Sequence, residues 1–282
     1  MPHLPGGPAS PARRHFLGLA AAASGRIAAL GALGGAILPS SAQARGNGNG
    51  YGWGMGAPHG WGKGAPHCFV RGTRIRTPRG ETCIEALRVD DLVTTISGEP
   101  VPVKWIGRNN FRRTGRSWQS DVLPIRIARS AFDDATPHHD LYLSPRHCVF
   151  LEDHLIPVSD LVNGTSVTVA EPAGTEIEYF HIALKAHDVI FAEGAPAETL
   201  LMQNGDEHEK FGNFAEYERL YPHDRSRMLP FAPRVGCHGS GREHLKALLQ
   251  LARAPGAPDP LRIAYDRLAR RAQDALASQA AV

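Results

Sequence analysis

The stretch Cys68-Phe69-Val70-Arg71-Gly72-Thr73-Arg74-Ile75-Arg76-Thr77-Pro78-Arg79-Gly80 is the first dense strand-like segment of the chain. Val70, Thr73, Ile75 and Thr77 are β-branched, and Gly72 and Pro78-Arg79-Gly80 supply turn chemistry. A cysteine opens it. A cysteine side chain there could attack the carbonyl carbon of the preceding residue, His67, and turn the His67–Cys68 amide into a thioester. An amide nitrogen leaves poorly, so an acid must protonate it as the tetrahedral intermediate collapses, and a histidine of near-neutral pKa suits that task.

What precedes Cys68 reads as disposable. Arg13-Arg14 and His15-Phe16-Leu17 lead into an Ala/Gly/Leu stretch reaching Leu38, and Ala42-Gln43-Ala44 closes it. Residues 1–44 therefore read as an export signal cleaved at Ala44. The paired arginines resemble a twin-arginine signal, which implies a periplasmic or extracellular bacterial protein. A membrane-spanning helix is the weaker alternative, because Arg26 near its middle would cost about 2.5–3.5 kcal/mol. Residues 45–67 form a Gly-rich leader that repeats Ala57-Pro58-His59 as Ala65-Pro66-His67. Such a segment cannot bury enough apolar surface to offset its ordering entropy, and metal binding by His59 and His67 would be weak.

The net charge of +3 over 282 residues argues against a nucleic-acid partner, as do the scattered arginines. Cys68, Cys83, Cys148 and Cys237 show no compact disulfide framework, and their pairing cannot be read from spacing. As a nucleophile Cys68 must be a free thiol, which folding in a reducing cytoplasm before export would allow. Cys148 alternates with apolar neighbours and is expected to be buried.

From Cys68 to Leu201 the pattern is an all-β core of short strands. They are expected at Phe69–Arg76, Asp91–Ile96, Pro102–Ile106, Leu123–Ala128, Asp140–Leu143, Cys148–Leu151, Ser166–Val169, Ile177–Leu184 and Asp188–Ala192. Ser97-Gly98 and Asn163-Gly164 mark turns, and short helical turns are expected around Ile84–Leu87 and Ser159–Leu161. Residues 202–241, with Phe211, Phe214, Tyr217, Tyr221 and Pro230-Phe231-Ala232-Pro233, read as an extension packing on the core. Residues 242–282 read as a helical hairpin. Its first helix carries Leu245, Leu248, Leu249 and Ala252 on one face. The second starts with Asp259 as cap and Pro260 in the first turn, with a stripe of Leu261, Ala264, Tyr265, Leu268, Ala272 and Leu276. Arg262, Arg267, Arg270 and Arg271 leave a membrane-surface contact as the alternative to packing on the core.

Several blocks stand in order: Cys68-Phe69 with Gly72-Thr73, Ile75, Thr77, Gly80, Ile84-Glu85, Leu87, Asp91, Val93 and Gly98, then Trp105-Ile106-Gly107. Leu143-Ser144-Pro145-Arg146-His147-Cys148-Val149, Leu155-Ile156-Pro157, Leu161-Val162-Asn163-Gly164, His187-Asp188-Val189-Ile190 and Ala192-Glu193-Gly194 follow. Together they resemble the Hint domain, the self-processing module of Hedgehog proteins and inteins, and its stand-alone bacterial branch above all. The resemblance covers Cys68 to Leu201 and implies a compact, horseshoe-like β fold.

It also implies roles. Ser144-x-x-His147 resembles the family's Thr-x-x-His element, in which the histidine contacts the scissile peptide and the hydroxyl helps polarise it. His187 falls where intein-like members carry a second histidine, and His181 falls where many carry an aspartate that orients the incoming nucleophile. His181 could equally be a solvent-facing strand residue, and His187 a turn residue paired with Asp188. Inteins end in His-Asn before a nucleophile, whereas this chain reads Ala197-Glu198-Thr199-Leu200. Splicing is therefore not expected. What remains is N-terminal cleavage of the protein's own leader, with the thioester resolved by water, a thiol, an amine or an alcohol. Glu198 could activate that nucleophile, but a surface carboxylate is the commoner reading. No cofactor or metal is required. The competing readings are a degenerate Hint fold that serves as a secreted binding module, and a metal-dependent hydrolase drawing on His138-His139-Asp140, His147, His181 and His187.

Overall fold

The computed structural model describes residues 67–235 and 259–280. The expected signal with its cleavage site at Ala44, the expected leader up to Pro66, Cys237 and the first of the two expected C-terminal helices lie outside the described residues.

The fourteen described strands are β1 (Phe69–Val70), β2 (Arg74–Thr77), β3 (Gly80–Cys83), β4 (Leu92–Thr94), β5 (Pro100–Pro102), β6 (Trp105–Arg112), β7 (Ile125–Ile127), β8 (Leu141–Leu143), β9 (Cys148–Leu151), β10 (His154–Pro157), β11 (Val167–Val169), β12 (Glu176–Ala183), β13 (Val189–Ala192) and β14 (Ala195–Glu198). Single 3-10 turns lie at Ile84–Ala86, Val158–Leu161 and Glu207–Lys210, and two helices follow, α1 (Phe214–Leu220) and α2 (Pro260–Ala280). The strands form two six-stranded sheets, in the orders β11-β7-β8-β1-β12-β6 and β10-β9-β14-β13-β2-β3, and a two-stranded β4-β5 ribbon. The fold is thus all-β with a C-terminal helix.

The opening stretch joins the two large sheets. One strand is expected over Phe69–Arg76, but Gly72 sits at φ +88°, a backbone region costly for other residues, and breaks it. Thr73 closes the turn with its amide 3.2 Å from the Val70 carbonyl. β1 therefore pairs with β8 and β12 in one sheet, and β2 pairs with β3 and β13 in the other.

Among the strands that escape the sequence pattern, β3, β10 and β14 do so for identifiable reasons. β3 (Gly-Glu-Thr-Cys) and β10 are edge strands, and β10 ends in Pro157, so neither needs period-2 apolar alternation. β14 reads Ala-Pro-Ala-Glu, poor strand formers by propensity, yet it lies between β9 and β13 and is almost wholly buried. A two-residue turn holds it there, Glu193 at φ +48° and Gly194 at φ +80°, as a primed hairpin requires.

The main core is aliphatic, with Phe69, Ile75, Leu143, Val149, Ile156 and Ile190 among its fully buried side chains. A second cluster forms where residues 202–228 cover the outer face of β6 and β12. Phe211 and Tyr217 meet the Trp105 ring edge-to-face, with centroids 5.4 and 5.1 Å apart. Gly107 makes that approach possible, since a Cβ there would lie 2.5 Å from the Phe211 ring.

Helix α2 begins as the sequence predicts. The Asp259 carboxylate accepts the Leu261 amide at 3.2 Å. Ala264, Leu268 and Ala272 are buried against the core, and Arg267 pairs with Glu152 at 2.7 Å. The stripe stops there, because Leu276 is 54% exposed. No described helix is long and apolar enough to cross a membrane.

Leu268→Ala should lower unfolding stability by about 2–4 kcal/mol through the cavity it leaves. Leu276→Ala should change it by less than about 0.5 kcal/mol. Urea denaturation of the two variants checks both values.

Candidate functional site

Cys68 lies one residue before β1, and Ser144 clamps its backbone from both sides. The Ser144 amide donates to the Cys68 carbonyl at 2.8 Å, and the Cys68 amide donates to Ser144 Oγ at 2.7 Å. That amide nitrogen belongs to the His67–Cys68 peptide bond, so a hydroxyl rests on the leaving atom of the bond in question. The Cys68 side chain is fully buried in the cluster with Trp105 and Tyr179. Burial pushes its thiol pKa well above the ordinary value, so it rests as the neutral thiol. The Tyr179 phenol donates to the Val122 carbonyl at 2.8 Å and is held protonated by its own burial and, to a lesser degree, by Cys68.

Phe69 packs its ring against His147, with centroids 4.3 Å apart. His147 in turn lies 5.1 Å from His181, their rings tilted by 30°. Both imidazoles are buried, which removes the solvent-facing alternative for His181. Burial drives the His147 pKa down to about 3, against a smaller upward pull from Glu198 and the His67 backbone. His181 is also held well below its ordinary value, by burial first and by His147 second. Among the described residues neither ring has a well-aligned hydrogen-bond partner. The near-neutral pKa expected of a proton donor is thus replaced by a histidine that rests neutral, because a buried imidazolium lacks solvation.

Glu198 overturns its reading as a surface carboxylate. It is 1% exposed and is the anion around which the site is organised. Its Oε1 accepts the Cys148 amide at 3.0 Å, lies 3.0 Å from His67 Nδ1 and 3.5 Å from Arg234 Nη2. Its Oε2 lies 3.6 Å from His187 Nε2. Burial alone would raise its pKa, but His187, His67 and Arg234 together hold it well below the usual carboxylate range. His67 Nδ1 also lies 3.2 Å from Arg234 Nη2, and one nitrogen cannot donate and accept at once. The shorter contact to the carboxylate places the proton on Nδ1. Arg234 then points to Glu198 and to the Cys148 sulfur, 3.0 Å away.

His187 accepts the Phe231 amide on Nδ1 at 2.9 Å. Its proton must therefore sit on Nε2, facing Glu198. Its ring contacts run to Glu198 and residue 231, while the Asp188 amide bonds Thr199 Oγ1 at 2.9 Å. Phe231 and Arg234 belong to a strap over residues 228–235 that lies along β10, with the Leu155 amide on the Pro233 carbonyl at 2.9 Å and the Val235 amide on the Leu155 carbonyl at 3.1 Å.

The structure therefore gathers Cys68, Ser144, His147, His181, His187 and the scissile residue His67, and adds three groups to them: Glu198 as a buried anion, Arg234 and Cys148. Arg234 lies 36 positions from Glu198, and no spacing in the sequence signals it. The six-residue metal set is not assembled. Asp140 pairs with Arg126 at 2.7 Å, and among the described residues no metal-ligand group contains His147, His181 or His187.

Residues 67–204 of the chain match the family model of the Hint domain. No curated protein matches it. Among solved structures, the gp41-1 intein is similar at 12% identity, over 47% of this chain and 98% of its own, with a TM-score of 0.34. The DnaB intein from Synechocystis sp. PCC 6803 is 10% identical over 48% of this chain and 100% of its own, with a TM-score of 0.34. An intein-like domain from Clostridium thermocellum is 13% identical over 47% and 98%, with a TM-score of 0.33.

The site makes the fold acid-sensitive. Glu198 titrates lower in the folded than in the unfolded chain, so its contribution is complete above about pH 4.3 and disappears as pH falls. His147 stays neutral down to about pH 3 in the fold. The unfolded chain takes up that proton near pH 6.5, so stability falls as pH drops from about 6.5 toward 3. The urea midpoint should decline below about pH 6.5, and His147→Gln should flatten the upper part of that decline. Glu198→Gln should cost about 2–5 kcal/mol at pH 7, since it leaves Arg234 without its buried counter-charge.

Proposed function

We propose that this protein is an exported Hint protein that cleaves its own His67–Cys68 bond through a thioester and does not splice. The observation that carries this reading is the Ser144 hydroxyl on the Cys68 amide nitrogen, with the Ser144 amide on the other side of the same residue. The residue so held is a fully buried cysteine.

The Cys68 sulfur attacks the His67 carbonyl carbon. The S–C bond forms, the C–N bond breaks, and the thiol proton ends on the Cys68 nitrogen. His147 carries that proton. As a weak base it takes the proton only while the sulfur is committed to attack, and as a strong acid it surrenders the proton readily to the departing amine. Ser144 Oγ already touches that amine and relays the transfer. Glu198, through His67 Nδ1, fixes the residue that supplies the acyl group. In the second step a nucleophile carrying a proton adds to the thioester carbon, the C–S bond breaks, and the proton returns to the sulfur. Water, a thiol, an amine or an alcohol satisfies this balance.

Splicing needs a terminal asparagine to cyclise, and β14 presents Ala197-Glu198 followed by Thr199-Leu200 instead. The paired Arg13-Arg14 and the Ala42-Gln43-Ala44 site support export before or after this cleavage. The alternative is a closed, inactive Hint fold that serves as a binding module. It is favoured by the complete burial of the Cys68 thiol.

Intact-mass analysis of the purified chain, with and without hydroxylamine, separates the two. A fragment beginning at Cys68 that hydroxylamine increases is the expected result. Cys68→Ala should abolish it, and Ser144→Ala should slow it by about 100-fold or more. A chain that stays uncut with every nucleophile overturns self-cleavage and leaves the binding-module reading.

A further inference from the structure

A second cluster of ligating side chains lies where the β13–β14 turn meets the β2–β3 hairpin and the segment leading into β8. We propose that His138, His139 and Glu193, with Glu81 as a fourth ligand, bind a divalent transition-metal cation of the zinc type. The cluster shares no residue with the His67–Cys68 site.

Glu193 carries the argument. Its side chain is 7% exposed, and its two oxygens have different surroundings. Oε1 accepts the Arg74 amide at 2.8 Å. Oε2 is buried and has no hydrogen bond at all. A buried carboxylate oxygen without a donor is costly, and this one is aimed at two imidazoles. His138 Nε2 lies 3.5 Å from it and His139 Nδ1 lies 3.4 Å from it. Glu81 Oε2 lies 3.0 Å from His138 Nε2. One ligand atom each from His138, His139 and Glu193 falls within a mutual separation of 4.8 Å. Tetrahedral zinc, with bonds of about 2.0–2.1 Å, places its ligands about 3.3–3.4 Å apart. The two contacts to Glu193 therefore already have the required spacing, and a small rotation of the exposed His139 ring closes the third.

The backbone holds this arrangement. The Glu193 amide donates to the Arg74 carbonyl at 2.8 Å, and the His138 amide donates to the Glu193 carbonyl at 3.0 Å. Gly194 is required beside them, because a Cβ there would lie 2.8 Å from His138 Nδ1. Fixing ligands through such outer contacts is how metal sites are oriented before the ion arrives. Two imidazoles with carboxylates select borderline cations over magnesium or calcium, which prefer all-oxygen sets. Arg74 is the competitor. Its Nη1 lies 3.3 Å from both nitrogens of His139, so it rests across the ring and offers positive charge where the cation would sit.

A bound cation would tie the segment around His138 to the turn that leads into β14, the strand carrying Glu198. Calorimetric titration of the full chain with zinc should show one site that both Glu193→Gln and the paired His138→Ala/His139→Ala weaken by at least tenfold. Arg74→Gln should tighten it. Cobalt substituted for zinc should give a spectrum without a thiolate charge-transfer band. Should Glu193→Gln fail to fold, His139→Ala alone gives the answer, since that side chain is 58% exposed. Zinc uptake unchanged in these variants, a thiolate band, or no uptake at all would each overturn the assignment.

Discussion

A carboxylate withdrawn from water is the constraint on which this molecule turns. Glu198 sits on β14 with 1% of its surface exposed, and an ion so placed costs several kcal/mol unless partners surround it. The partners come from separate parts of the chain. Cys148 offers a backbone amide from β9, His187 a ring N–H from the loop before β13, His67 a ring N–H from the end of the leader, and Arg234 a guanidinium from the strap. Each segment must dock for the charge to be balanced. The strap over residues 228–235 is thereby locked to the site in a way that apolar packing alone would not specify.

The same burial sets the proton inventory. Cys68, Cys148, His147 and His181 all rest neutral, each chiefly because it is buried. Glu198 and Arg234 form the charged pair among them. The proposed transfer of a proton from sulfur to nitrogen takes place among buried groups, where electrostatic differences are larger than they would be in water. A histidine of depressed pKa suits the second half of such a transfer better than the first.

Much of the strand pattern was legible because it rests on local chemistry. β-branched runs and Gly/Pro/Asn turns marked β2, β7, β9, β11, β12 and β13, and the Asp259-Pro260 cap marked the start of α2. What escaped were segments whose state is set by neighbours. β14, built of alanine and proline, is a strand because β9 and β13 flank it, and Leu276 is exposed because the core ends one turn earlier at Ala272.

The site divides in the same way. Cys68 stood out by its own chemistry at the head of a strand-like segment, while Ser144-x-x-His147, His181 and His187 were marked by the resemblance to the Hint family. The chain also raised Glu198, but a carboxylate in sequence carries no sign of its solvent exposure, and nothing in it singled out Arg234. Whether Glu198 is a surface charge or the buried partner of four groups depends on contacts between residues from eleven to 131 positions apart. Side-chain type is a local property that a sequence states outright. Burial, protonation state and pairing are properties of the space around a side chain, and that space exists only once the two sheets and the strap have closed around it.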